Sequence, residues 1–91
     1  MDTDAEIELS SRAQRDLRRI GPGPERKRIV AALRRLASGQ ANLDILAIEG
    51  RAPWLRMRVG DFRVLYRPVD SGFWVERVVN RCDLQRSVTS L

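Results

Sequence analysis

The residues of this chain best equipped for chemistry are arginines. Arg56, Arg58 and Arg63 fall in one stretch, Trp54–Tyr66, where two alternating runs flank Gly60-Asp61. Alternation of apolar and polar residues marks a half-buried strand, and Gly-Asp suits a two-residue turn that needs a positive φ. The stretch predicts a β-hairpin with Val59 opposite Phe62, Arg58 opposite Arg63, Met57 opposite Val64 and Arg56 opposite Leu65. Side chains alternate across a strand, so Leu55, Met57, Val59, Phe62, Val64 and Tyr66 share one apolar face. Trp54, Arg56, Arg58, Arg63, Leu65 and Arg67 share the other. Like charges placed directly opposite cost a few tenths to about 1 kcal/mol per pair. Solvated arginines can lay their stems along a sheet with their heads in water. A bound polyanion explains their concentration on one face better, because a guanidinium fork matches two phosphate oxygens.

The rest of the composition narrows that chemistry. The chain has no histidine and a single lysine, Lys27, so any step that needs an imidazole must be done otherwise. Cys82 is the only cysteine; it can form no internal disulfide and has no companion for a thiolate metal site, and no cofactor or metal is expected. Net charge is +5 and uneven. Residues 1–50 hold nine Lys/Arg against eight Asp/Glu, a net +1, while residues 51–91 hold eight against four, a net +4. A basic half attracts nucleic acid or an acidic protein. No apolar run reaches the ~18 residues of a membrane span. The N-terminal Met-Asp-Thr-Asp-Ala-Glu lacks the character of a secretory signal, so a cytoplasmic location is expected. A length of 91 residues fits one domain, 1–91, with one modest core.

The elements that must position the arginines read as follows. Residues 1–4 are expected to be a loose terminus, and Ala5–Leu9 a first strand. Ser10 is a candidate N-cap for a helix with Ala13, Leu17 and Ile20 inside and Arg12, Arg15, Asp16, Arg18 and Arg19 outside. Gly21-Pro22-Gly23-Pro24 breaks the chain into a second helix running to about Ser38, with Ile29, Val30, Leu33, Leu36 and Ala37 inside and Gly39 closing it. Residues 40–53 read as a connection, with Leu43, Leu46 and Ile48 turned inward. Asp70-Ser71-Gly72 is a turn. Phe73–Asn80 is a last strand, in which Glu76 could face Arg67, although a one-residue ambiguity in the turn would flip the pairing. A short helical turn follows Asn80, and the last five residues are expected to fray. The order β-α-α-β-β-β predicts an α+β fold: a helical hairpin packed on one face of a small, mainly antiparallel sheet, with the first strand beside the C-terminal ones.

Three segments resemble toxins of the RelE/ParE superfamily, on the RelE branch, from bacterial type II toxin–antitoxin pairs. They are Leu9-Ser10-Ser11-Arg12-Ala13-Gln14-Arg15-Asp16-Leu17, the central Trp54–Tyr66 stretch, and Val78-Val79-Asn80-Arg81-Cys82-Asp83-Leu84-Gln85-Arg86. The resemblance implies a ribosome-dependent mRNA endonuclease that cuts by attack of a ribose 2′-OH on the adjacent phosphate. It makes Arg63 the transition-state arginine, Arg56 and Arg58 its neighbours, and Arg81 a group assisting the leaving oxygen. Arg51, Trp54, Arg67 and Arg86 are the candidate RNA-contacting residues around them. Trp54 and Trp74 could stack on bases; the competing role is in the core or against a partner. The basic helix surface (Arg15, Arg18, Arg19, Arg26, Lys27, Arg34, Arg35) is a solvated face with a secondary role against ribosomal RNA. A cognate antitoxin is the implied partner, with the ribosome and mRNA. The chain departs from the pattern at Asn80 and Gln85, where many relatives carry His and Tyr; neither amide serves as an acid or base near neutral pH. Glu49, Asp61 and Asp83 are the carboxylates considered in their place, each read first as a turn or surface residue. Two alternatives accompany this reading: a ParE-like poison of DNA gyrase, and a catalytically weakened homologue acting through antitoxin binding and operon regulation.

Overall fold

A computed structural model of the chain describes residues 4–91. The expectation of a loose terminus falls mostly on residues 1–3, outside the described residues. The elements are β1 (Glu6–Leu9), α1 (Ser11–Ile20), α2 (Pro24–Ala37), β2 (Asp44–Ala47), β3 (Leu55–Val59), β4 (Phe62–Val69), β5 (Gly72–Asn80), a 3-10 turn (Arg81–Asp83) and α3 (Leu84–Thr89). The strands form one sheet in the order β1-β5-β4-β3-β2, antiparallel except where β1 runs parallel to β5. Helices α1 and α2 contribute Ala13, Ile29, Ala32, Leu33 and Leu36 to a core completed by Met57, Val64, Tyr66, Val75 and Val78 of the sheet. This is the expected α+β architecture, with the helical hairpin on the apolar face.

The hairpin of β3 and β4 has the anticipated register: Val59 opposite Phe62, Arg58 opposite Arg63, Met57 opposite Val64, Arg56 opposite Leu65. Gly60 takes a φ of +57°, which a residue with a Cβ adopts only at a cost. β1 lies beside β5 as expected. Gly72 allows the approach, since a Cβ there would run into the Glu6 backbone.

Four local expectations are corrected. The connection over residues 40–53 contains a strand, β2, too short to show a full alternation. In it Ile45 packs on the core, while Leu46, expected inside, is 52% exposed. The C-terminal residues do not fray: α3 runs to Thr89 and packs on β5, with Ser87 buried. Glu76 does not face Arg67, whose partner is Trp74. A bulge lies between Tyr66–Val75 and Leu65–Arg77, leaving Glu76 as the extra residue. It brings Val75 and Val78 onto the same face, which strict alternation over three positions would forbid.

The fourth correction concerns Asp16, expected among the outer charges of α1 but 6% exposed. β1 pairs with β5 only as far as Val75, so the β5 edge beyond it needs other partners. Ser10 and α1 supply them. The Ser10 N–H donates to the Val75 carbonyl (2.9 Å) and its hydroxyl to the Glu76 carbonyl (2.7 Å), while Ser10 Oγ accepts from the Ala13 N–H as the N-cap of α1. Asp16 Oδ2 accepts the Val78 N–H at 2.9 Å and Arg77 Nε–H at 2.8 Å. Arg77 Nη2 also donates to Asp16 Oδ1 at 3.2 Å. Bonding to Asp16 raises the Arg77 pKa above its ordinary value.

Asp16→Ala leaves the Val78 N–H unpaired and the half-buried Arg77 uncompensated, and should cost about 3 kcal/mol in urea unfolding. A cost below 1 kcal/mol, on the same scale, would contradict the edge-capping role. Tyr66 makes a second test possible. It is the only tyrosine, is almost fully buried, and stacks edge-on against Phe73 at 5.6 Å. Burial raises its phenol above the ordinary 10.0. A group whose folded pKa is raised contributes stability that is complete below the unfolded value and is lost as pH rises through the folded one. Stability should therefore fall above pH 10.0, with the phenolate absorption band appearing together with unfolding rather than before it.

Candidate functional site

The register arranges the second face of the sheet in rows. Nearest the Gly60-Asp61 turn, Asp44 of β2, Arg58 of β3, Arg63 of β4 and Val79 of β5 lie side by side. The next row is Leu46, Arg56, Leu65 and Arg77, although the Arg77 head turns to the sheet edge to meet Asp16. Farther from the turn come Arg67 and Trp74, with Glu8 at the β1 edge. Leu65, Val79 and Ser87 are buried yet stand outside the main core, and α3 packs on β5. α3 thus covers the β5 side of this face and leaves the β2–β4 side, with the arginines, open.

Arg63 is the centre of the basic group. Its Nη1 donates to the Gly60 carbonyl at 3.1 Å and to the Phe62 carbonyl at 3.0 Å, which anchors the head at the turn. Burial lowers its pKa below the ordinary arginine value, and Arg58, Arg56 and Arg81, in that order, push it the same way. Asp44 pushes the other way. Arginine stays cationic in this situation, so the charges remain and repel. Arg81 reaches the group because its backbone N–H donates to the Asp61 carbonyl at 2.8 Å, pinning the 3-10 turn to the hairpin turn. Its guanidinium lies 4.0 Å from the Asp61 carboxylate with both side chains more than half exposed, a contact worth little against solvent and salt.

Arg56, Arg58, Arg63 and Arg81 are therefore brought together at one end of the second face. Arg51, Trp54, Arg67 and Arg86 are not part of that group. Arg67 sits over the Trp54 ring at 5.6 Å from its centroid, a cation–π pair at the opposite end of the hairpin. Arg51 belongs to the loop that leads into β3, its carbonyl accepting from the Trp54 N–H. Arg86 lies on α3 and donates to Asp83 at 2.7 Å. Trp74 donates its indole N–H to Glu76 at 2.9 Å. Asn80, at the position where many relatives carry His, accepts the Cys82 N–H at 3.0 Å and caps the 3-10 turn.

The residue that sequence reasoning missed is Asp44. Recognising it required β2, whose only outward signal is the spacing of Leu43, Ile45 and Ala47 at every second position. Among the described residues no cluster of His, Cys, Asp and Glu could hold a metal ion, and no helix is long and apolar enough to cross a membrane.

Comparison with known proteins places the chain in a family. Residues 7–82 match the family model of the ParE toxin of type II toxin–antitoxin systems, parDE. None of the curated proteins matches the chain. Among solved structures, the fold is similar to the RelB–RelE antitoxin–toxin complex of Methanococcus jannaschii: 24% identity, TM-score 0.74, with 88% of this chain and 96% of that one covered. It is also similar to the archaeal RelE–RelB complex of Pyrococcus horikoshii OT3: 19% identity, TM-score 0.70, 87% and 97% covered. A third similarity is to the DinJ–YafQ complex of E. coli: 15% identity, TM-score 0.70, 88% and 97% covered. With most of its length inside the family model and the same fold in these toxins, the chain belongs to the ParE toxin family of the RelE/ParE superfamily and is a toxin of a type II toxin–antitoxin system.

Proposed function

We propose that this toxin is a ribosome-dependent mRNA endonuclease, cleaving translated message by attack of a ribose 2′-OH on the adjacent phosphate and so stopping translation. The observation that carries the reading is the placement of Arg56 and Arg58 beside Arg63 on the open second face, with Arg81 tied to the same end through its backbone bond to Asp61. Like charges gathered there destabilise the free protein and are relieved by a phosphate backbone. As charge grows on the phosphoryl oxygens, cations already held in place stabilise it without reorganising. Arg63, anchored by two carbonyls, is the best-oriented of them. Arg51, Trp54, Arg67 and Arg86 would extend the RNA track, and the basic outer surfaces of α1 and α2 would meet ribosomal RNA.

A cognate antitoxin is the partner that keeps such a toxin silent. The solved relatives are toxin–antitoxin complexes. This chain offers such a partner both the arginine face and an apolar hollow of about 510 Å³ between β1, α1 and α2, lined by Ile7, Leu9, Leu17, Val30 and Leu33. The second reading, a ParE-like poison of DNA gyrase, is favoured by the family model that matches. It leaves the arginine cluster without a task.

Expression without antitoxin separates the two. Codon-phased cuts in translated messages, mapped by primer extension, are expected; double-strand DNA breaks with intact messages would instead establish the gyrase reading. Arg63→Ala should lower cleavage by about 10²–10³-fold, the typical effect of removing one transition-state donor. Its fold should be unchanged, because the Arg63 head bonds only to the Gly60 and Phe62 carbonyls at the end of the hairpin and to no core side chain. Undiminished toxicity at equal expression would refute the assignment.

A further inference from the structure

Attack by a ribose hydroxyl needs a proton acceptor, and a chain without histidine has few to offer. Arginine cannot serve, since it is never deprotonated at working pH. Asn80 is an amide already used as a cap. Tyr66 is buried on the far side of the sheet. The carboxylates divide by position. Asp16 is buried and committed to Arg77 and Val78, Asp83 is paired with Arg86, and Glu49 lies outside the strands. Asp61 is in the hairpin turn beside Arg81. Asp44 alone shares a row with the central arginines, directly across from Arg58, which is itself across from Arg63. It is exposed, forms none of the ion pairs found among the described residues, and is the one acidic group whose charge acts on Arg63.

The geometry points to Asp44 as the general base of the cleavage reaction, a role that rests on the nuclease reading above. Adjacent strands are about 4.8 Å apart, so Asp44 and Arg63, on either side of β3, stand about 10 Å apart at their backbones. That interval accommodates a ribose 2′-OH facing Asp44 and its 3′-phosphate facing Arg58 and Arg63. In the step, the Asp44 carboxylate takes the 2′-OH proton while the 2′ oxygen bonds to phosphorus. The bond from phosphorus to the 5′ oxygen of the next nucleotide breaks, and that oxygen takes its proton from water. The products are a 2′,3′-cyclic phosphate and a 5′-hydroxyl. The charged groups facing Asp44 are all arginines: Arg58 and Arg63 on the sheet, and Arg28 and Arg35 of α2, which line the same hollow at the start of β2.

The test is single-turnover cleavage of message on programmed ribosomes by toxin freed from its antitoxin, between about pH 6 and about pH 9. Cys82→Ser is carried throughout to keep the thiol out of the profile. The unsubstituted site should give a flat profile in that range. Asp44→Asn should be about 100-fold slower at the lower pH and rise about tenfold per pH unit, as hydroxide replaces the missing base. Asp44→Glu should restore part of the rate with a flat profile. A flat profile for Asp44→Asn, or the sloping profile appearing in Asp61→Asn instead, would overturn Asp44 as base while leaving the nuclease reading standing. Absence of cleavage by the unsubstituted toxin would remove both.

Discussion

The structure depends on one local constraint, the turn at Gly60-Asp61. A two-residue turn allows a single register between β3 and β4, and a slip of one residue would carry every arginine to the covered face. With the register set, Met57 and Val64 are sealed under the helices, and Arg58 and Arg63 are forced to face one another. The apolar face supplies the burial that holds the like charges together: three fully buried side chains of this hairpin, Met57, Val64 and Tyr66, contribute several kcal/mol, against about 1 kcal/mol of repulsion for a facing pair. Stability on one face thus sustains an unfavourable arrangement on the other, as functional sites commonly require.

A second constraint keeps that arrangement open on one side. β1 is too short to cover β5, and Ser10 with Asp16 completes the edge that it leaves. The same contacts fix α1 against the sheet and draw Arg77 away from the second face toward Asp16. Beyond β5, the 3-10 turn is tied to the hairpin turn through Arg81 N–H and Asp61 O, so the last of the four arginines arrives from a separate element. α3 then closes the β5 half of the face. What stays open is a basic floor of three strands, bounded by Asp44 at the outer edge.

Much of this was legible in the residues because the decisive signals are local. Alternation and a Gly-Asp turn specify the hairpin and its two faces, and Ser10, Pro24 and Gly39 punctuate the helices. The parts that escaped depend on distant partners. Asp16 sits among four arginines of α1, and only the unpaired edge of β5, about sixty residues away, explains its burial. Glu76 reads as an ordinary strand residue until the bulge removes its partner. β2 has four residues, one of its large apolar side chains is exposed, and its pairing with β3 has no turn signature. Of the candidate site, Arg56, Arg58 and Arg63 follow from the hairpin, whereas the exclusion of Arg51, Trp54, Arg67 and Arg86 from their group required the three-dimensional arrangement, as did Asp44.

The proposed function requires the four guanidinium groups at one end of the second face to receive a ribose-phosphate backbone together. Its most direct measurement is the NMR signal of each arginine Nε–H during titration with a short single-stranded RNA at low salt. A shared binding site predicts that Arg56, Arg58, Arg63 and Arg81 shift together, at one apparent affinity that weakens steeply with salt. Shifts confined to the arginines of α1 and α2, or four signals moving independently, would contradict it.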